Sequence, residues 1–199
     1  FSPYAASIEP SKLYANAGEI FYLKDLLYSL MLPSHNDAAV AIAEYISGDV
    51  DSFAALMNQE AAAMGATRSH FVNPNGLPDE NHYTCVYDMY LIFSNAIKND
   101  TFVSIIGTTS YDVTYTDASG EAVTHTWENT NQYLTGNATT PDGFQIVGGK
   151  TGTTGEAGYC LVLYSYNPSG QPIISIVFKA DGKSNLYLLM NEMLQGFAI

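Results

Sequence analysis

The spacing of the apolar residues changes once along this chain, and that change limits the possible folds more than any other feature. Up to about residue 108 they recur at three and four positions: Leu23, Leu26, Leu27, Leu30 and Met31, then Ala38, Ala39, Ile42, Ala43 and Ile46. Such spacing gathers them on one face of a helix. Pro33 stops the first helix. Asp37 opens the second and Gly48 ends it. Asp51 or Ser52 can cap a third that reaches Met64, with Gly65 as its stop. Turn residues fill 73–78, and helices over about 85–98 and 101–106 follow. Beyond that, Tyr111, Val113 and Tyr115 alternate with polar residues and face 123–127 across Asp117-Ala118-Ser119-Gly120, which is hairpin patterning. Strands are expected over 146–151, 159–166 and 173–178, flanking a glycine-rich connection, with a closing helix over 183–197. Residues 1–21 and 129–143 read as extended chain or loop. Helices first, an antiparallel sheet second and a helix to cover it predict an α+β fold. With 199 residues, 47% of them apolar, a single domain with a sizeable core is expected, helical over about 22–108 and sheet plus closing helix over about 109–199.

Charge narrows the function. Asp and Glu number 20 against 7 Lys and Arg, for a net charge of −13. Nucleic-acid binding needs clustered cations to displace counterions, so a phosphate-backbone partner is excluded, and docking on anionic lipid is disfavoured. No apolar run approaches the ~18 residues of a membrane span; Lys24 interrupts the longest candidate, and Pro33 and Ser34 end it. His35, His70, His82 and His125 are scattered without ligand spacing, so neither a metal nor another cofactor is expected. Cys85 and Cys160 form no redox or metal motif; one disulfide and two free thiols are both open. No internal period repeats. The first residue is Phe1 rather than Met and no signal peptide is present, which reads as a processed or cut piece of something longer.

Two short segments could carry chemistry. Lys150 is the single Lys or Arg between Lys98 and Lys179, in a stretch that holds Asp100, Asp112, Asp117, Glu121, Glu128, Asp142 and Glu156. It stands in Gly148-Gly149-Lys150-Thr151-Gly152-Thr153-Thr154-Gly155, at the end of an apolar strand. Glycine within a strand marks close backbone approach, and the hydroxyls beside the cation make a site suited to a carboxylate. A glycine-rich bulge or tight hairpin is the structural alternative. A phosphate loop is rejected: Phe144 stands where its first glycine belongs, and 155–158 lead into a strand rather than a helix. The other segment is Ser34-His35-Asn36, between two apolar helices, where Ser and Asn also serve as helix caps.

Taken together, these segments resemble the serine-type D-alanyl-D-alanine carboxypeptidases, low-molecular-mass penicillin-binding enzymes of peptidase family S11. Asp25 to Glu44, around Ser34-His35-Asn36, looks like that family's second motif in its helical setting. Phe71-Val72-Asn73-Pro74-Asn75-Gly76-Leu77, then His82-Tyr83 and Asp88-Met89, is similar to its following segment. Lys150-Thr151-Gly152, continuing through Ala157-Gly158-Tyr159-Cys160-Leu161-Val162, looks like its third motif. The resemblance runs from about Gly18 to Leu194. It implies the β-lactamase and penicillin-binding transpeptidase-like architecture, an antiparallel sheet flanked by helices with a helical subdomain.

The family's first motif, Ser-x-x-Lys, is missing. The residues three before the lysines are Glu9, Phe21, Asn95, Val147, Ile176 and Ala180, and none is serine. Truncation within the domain is the preferred reading; a natural, non-catalytic peptidoglycan-binding pseudoenzyme is the alternative. The resemblance implies a bacterial, extracytoplasmic enzyme that cleaves peptidoglycan stem peptides ending in D-Ala-D-Ala through a serine acyl-enzyme and is acylated by β-lactams. In it Ser34 relays a proton and Asn36 holds the substrate amide and the missing lysine. Lys150, Thr151 and Thr153 hold the terminal carboxylate. Gly152 lets the substrate lie along the strand, and the Thr153 amide is one oxyanion donor. These 199 residues alone are expected to be inert. A class A β-lactamase would need a Glu-x-x-Leu-Asn loop, which the sequence lacks; a transpeptidase is the remaining relative. His35 replaces the glycine or aspartate common in that motif; it either tunes acidity near Ser34 or points to solvent, and the second is the preferred reading.

Overall fold

In the computed structural model, residues 1–196 are described, and the chain forms two compact units that interleave in sequence. The first contains 1–60, 70–83 and 109–129; the second contains 61–69, 84–108 and the chain from 130 onward. The α+β expectation holds: helices occupy the first half and antiparallel strands the second.

The first unit begins with a short helix, α1 (Pro3–Ala6), which sequence patterning left as extended chain or loop. Pro3 supplies a preset φ at the helix start and Ser2 caps it, its Oγ accepting from the Ala5 amide at 2.9 Å. α2 (Leu23–Met31) buries Leu26, Tyr28 and Ser29. α3 (Asn36–Ser47) is buried over its first eight residues, where Ala38, Ala39, Ala41 and Ala43 keep the helix narrow enough to be enclosed. Gly48, at φ +86°, ends it as expected. α4 (Val50–Ala63) is capped by Asp49, whose Oδ1 accepts from the Ser52 amide at 2.6 Å, and not by Asp51 or Ser52. β1 (Ser110–Thr116) and β2 (Ala122–Glu128) pair antiparallel in register Tyr111↔Trp127 and Val113↔His125.

The second unit holds α5 (Val86–Ala96), α6 (Asp100–Ile106) and a three-stranded antiparallel sheet. Its strands β3 (Gln145–Thr154), β4 (Gly158–Tyr166) and β5 (Pro172–Ala180) lie in that order. α7 (Lys183–Gly196) covers the sheet, placing Leu186, Tyr187, Met190 and Leu194 on Leu161, Leu163 and Val177. That four-residue recurrence is the apolar stripe of an amphipathic helix. Three bonds fix the 129–143 segment to this helix: the Gln132 amide donates to Tyr187 Oη at 2.8 Å, Tyr133 Oη donates to Asn191 Oδ1 at 2.7 Å, and Asn191 Nδ2 donates to Thr139 O at 3.2 Å. The expected helix end at Phe197 lies outside the described residues.

β3 extends past its expected end at Thr151 to Thr154, so the glycine-rich connection to β4 shortens to residues 155–157. A Cβ on Gly148 would lie 2.5 Å from the Ile106 carbonyl oxygen, and one on Gly149 would lie 2.3 Å from that of Val162. Those two glycines are thus required by the packing of β3 on α6 and β4. Cys85 and Cys160, both in the second unit, are free and half-buried. Among the described residues no helix is long and apolar enough to cross a membrane, and no cluster of three or more His, Cys, Asp or Glu could hold a metal ion.

Candidate active site

Ser34, His35 and Asn36 form the tight connection between α2 and α3. Ser34 adopts a left-handed backbone, φ +67°, which a residue with a Cβ visits only at a cost. The N-terminal segment holds it there. The Asn36 amide donates to Ser11 O at 2.8 Å, the Asn36 Nδ2 donates to Pro10 O, and Ser11 Oγ donates to Ser34 O at 3.3 Å. Asp37 ties the same two segments together: its Oδ1 accepts from Leu13 N and Ala38 N, each at 2.9 Å. Asp37 is fully buried and its Oδ2 has no hydrogen-bond partner. Burial pushes its pKa up, against the pull of the Leu13 and Ala38 amides.

The expectation that His35 points to solvent is overturned. Its Nδ1 lies 2.9 Å from Ser29 Oγ, and its ring meets Trp127 edge-on at a centroid distance of 6.1 Å. Burial pushes its pKa down to about 4, so the ring is neutral at ordinary pH.

In the second unit, Lys150, Thr151, Gly152 and Thr153 follow one another on β3, an edge strand of its sheet. A bulge between Ile146 and Gly148 precedes them, a device that re-aims the side chains beyond it. Lys150 is half-buried; its ammonium donates to the Thr151 carbonyl at 2.7 Å, and desolvation pushes its pKa down to about 8. Most of the ammonium therefore remains charged at pH 7. Thr151 Oγ1 lies 2.6 Å from Thr130 Oγ1, while Gly152 and Thr153 are exposed. A Cβ at Gly152 would meet nothing within 4 Å, unlike those at Gly148 and Gly149. Gly152 therefore faces open space.

Ser34 and Asn36 are thus together in the first unit, and Lys150 to Thr153 are together in the second. Sequence reasoning missed Thr130, Asp37 and the Pro10–Leu13 strap. An acidic residue at the second position of a helix was the one available sign of Asp37, and it reads equally as an ordinary first-turn carboxylate. Thr130 carries no local signal, because its role depends on a contact with a strand 21 residues away.

Comparison with known proteins follows the same segments. The sequence profile of the peptidase S11 family, described as D-alanyl-D-alanine carboxypeptidase, matches residues 2–182. The D-alanyl-D-alanine carboxypeptidase DacF of Bacillus subtilis is 34% identical over 194 residues, which cover 97% of this chain and 47% of that protein. The D-alanyl-D-alanine carboxypeptidase of Streptomyces sp. strain K15 is 32% identical over 210 residues, covering 100% of this chain and 69% of that one. A solved structure of a serine-to-alanine variant of the Streptomyces K15 DD-transpeptidase superposes with a TM-score of 0.88 at 30% identity. It covers 98% of this chain and 76% of the solved one. The chain therefore spans about half the length of the Bacillus relative and about two thirds of the Streptomyces one.

Proposed function

The chain belongs to the D-alanyl-D-alanine carboxypeptidase family, peptidase S11, and from that membership we propose that it forms most of a cell-wall enzyme acting on peptidoglycan stem peptides that end in D-Ala-D-Ala. A serine hydroxyl attacks the carbonyl of the penultimate D-alanine, the C–N bond breaks, the terminal D-alanine leaves with a proton, and water then releases the acyl group. The serine and its lysine base are supplied by residues beyond these 199, which contain no Ser-x-x-Lys. Ser34 passes the proton to the leaving amine, and Asn36 holds the substrate amide. Lys150 pairs with the terminal carboxylate beside the hydroxyls of Thr151 and Thr153. The Thr153 amide faces the developing oxyanion. A β-lactam amide is attacked in the same way and stays attached. The substrate places this chemistry outside the cytoplasm, in the cell envelope.

The observation that carries the reading is the edge position of β3. An edge strand with an exposed glycine beside a cation accepts an extended peptide as an added strand, with its carboxylate end at the ammonium. The test is labelling with a fluorescent penicillin of the protein that contains both this chain and a Ser-x-x-Lys segment. A covalent adduct lost on prior treatment with unlabelled penicillin is expected, and its absence from the folded protein overturns the proposal. The 199 residues alone should release no D-alanine.

Similarity to a solved DD-transpeptidase favours a second reading, in which an amine rather than water takes the acyl group. Adding glycyl or diamino-acid acceptors and measuring the ratio of transfer to hydrolysis separates the two.

A further inference from the structure

The middle residue of the Ser-His-Asn turn has ordinary extended backbone, φ −74° and ψ 122°. Nothing at that position requires glycine; the left-handed residue is Ser34. The side chain at 35 is thus free of backbone constraint, and here it is engaged on two sides. On one, its Nδ1 lies 2.9 Å from the hydroxyl of Ser29, which is fully buried on α2, while the His35 amide donates to Ser29 O at 3.2 Å. On the other, the ring abuts Trp127 of β2, itself 5% exposed. Behind Trp127 the column continues: Tyr111 lies at 6.3 Å, Tyr28 of α2 stacks on Tyr111 at 3.8 Å, and Tyr111 Oη donates to Asp25 Oδ1 at 2.6 Å. Aromatic packing and hydrogen bonds thus run from α2 through the hairpin and back to the turn.

We infer that His35 is a positioning residue: its imidazole, bonded to Ser29 and lodged against Trp127, latches the Ser34 turn to α2 and to the β1–β2 hairpin and holds Ser34 in its left-handed pose. The consequence for acyl transfer rests on the function proposed above; the latch does not. The charged and titratable groups on the elements around it are Lys24 and Asp25 on α2, Asp37 and Glu44 on α3, Glu9, Lys12 and Glu19 in the N-terminal segment, and Asp112, Asp117, Glu121, His125 and Glu128 on the hairpin. Desolvation is what shifts the ring. With its folded pKa at about 4, below the usual 6.5, the latch contributes fully above pH 6.5 and is lost as pH falls through 4. Protonation places a charge beside the indole and leaves Nδ1 able only to donate to Ser29 Oγ.

Trp127 is the only tryptophan in the chain, so the latch can be read directly in the 199 residues. An imidazolium in contact with an indole quenches its emission. Emission should fall with a midpoint near pH 4 while far-UV circular dichroism stays constant. The fall should vanish in His35→Gly. Amide exchange at His35 and Asn36 should quicken at least tenfold in His35→Gly. Emission that titrates near 6.5 in the unmodified chain, or that His35→Gly leaves unchanged, overturns the latch. In the protein that carries the nucleophile, acylation by fluorescent penicillin should slow about tenfold in His35→Gly and recover partly in His35→Asn. Equal acylation in the variant and the parent overturns the positioning role. A parent that is not acylated at all overturns the proposed function instead, and the emission titration still decides the latch.

Discussion

The Ser34 turn and the Lys150 strand carry comparable motifs but are held in shape by opposite means. The turn depends on residues far away in sequence. Pro10 and Ser11 hold Asn36, Leu13 is bonded to Asp37 across 24 positions, and Trp127 packs on His35. Its strained residue, Ser34, has no local reason for its conformation. The strand depends on its neighbours in an ordinary antiparallel ladder, with Lys150 opposite Val162 and Gly152 opposite Cys160 across a short turn. A motif on a regular ladder can lose a side chain and keep its shape. A motif held by dispersed bonds loses shape when any one of them goes.

The largest test of that contrast is Lys150→Ala. In the protein that carries the nucleophile it should lower kcat/KM for acylation about 100-fold, the ~3 kcal/mol of a charge-assisted contact made to a carboxylate. Urea unfolding of the 199 residues should change by less than about 1 kcal/mol, since removing a desolvated cation from an edge strand costs the fold little. The same lysine sets a pH limb. Its folded pKa is about 8, so kcat/KM should fall as pH rises through 8 and the free enzyme loses the cation. A limb absent from the profile would place the carboxylate elsewhere.

Asp37→Ala should show the opposite division. It touches no part of the expected substrate, yet it leaves the buried amide of Leu13 without an acceptor and uncaps the first turn of α3. About 2–3 kcal/mol of stability should be lost in urea unfolding. A loss below about 0.5 kcal/mol would show that the strap is not held by this bond.

These two residues also mark what was legible from sequence. The helices, the hairpin and the three strands were readable because apolar spacing is local and each element buries one face. Gly48 and Gly65 were readable as stops because both carry positive φ, 86° and 84°, where a Cβ is penalised. Ser34, Asn36 and Lys150 to Thr153 could be nominated by motif. The short helix at Pro3 was lost because four residues make no periodic pattern, and the α4 cap was misplaced by two or three residues because Asp49, Asp51 and Ser52 are all competent. The end of β3 lies three residues beyond its expected place, because composition does not say whether a glycine such as Gly152 turns the chain or continues a strand. His35 was misread because its partners, Ser29 and Trp127, are brought to it only by the tertiary fold.

Glycines on one strand give a smaller and cleaner contrast. Gly149→Ala would force a Cβ to 2.3 Å from the Val162 carbonyl oxygen, so the ladder must shift, at a cost of about 2 kcal/mol. Gly152→Ala meets open space and should change stability by less than about 0.5 kcal/mol. Any loss of acylation it causes would then report crowding of the substrate rather than damage to the sheet. Equal destabilisation by the two would show that β3 tolerates no side chain along its glycine run, and the division between packing glycines and an open one would fail.

The smallest expected effect lies in the 70–83 segment, which combines both modes of construction. His70 and Tyr83 pair as a two-residue ladder, N–H to O at 2.8 and 2.9 Å, while side chains hold the residues between them. Asn58 bonds both backbone groups of Phe71, and His82 Nδ1 accepts from the Val72 amide at 3.1 Å. Burial pushes the His82 pKa below its usual 6.5. The bond to Val72 therefore contributes above pH 6.5 and disappears as pH falls through the folded pKa, because a protonated Nδ1 cannot accept. Its worth is about 1 kcal/mol or less. The ratio of amide exchange at Val72 to that at Phe71 removes the common dependence on pH, since Asn58 does not titrate. That ratio should rise, by about fivefold at most, as pH falls from 7 through the folded pKa. A ratio constant over that range would mean that the ladder alone holds the segment, as it does for β3, and that its side-chain bonds are incidental.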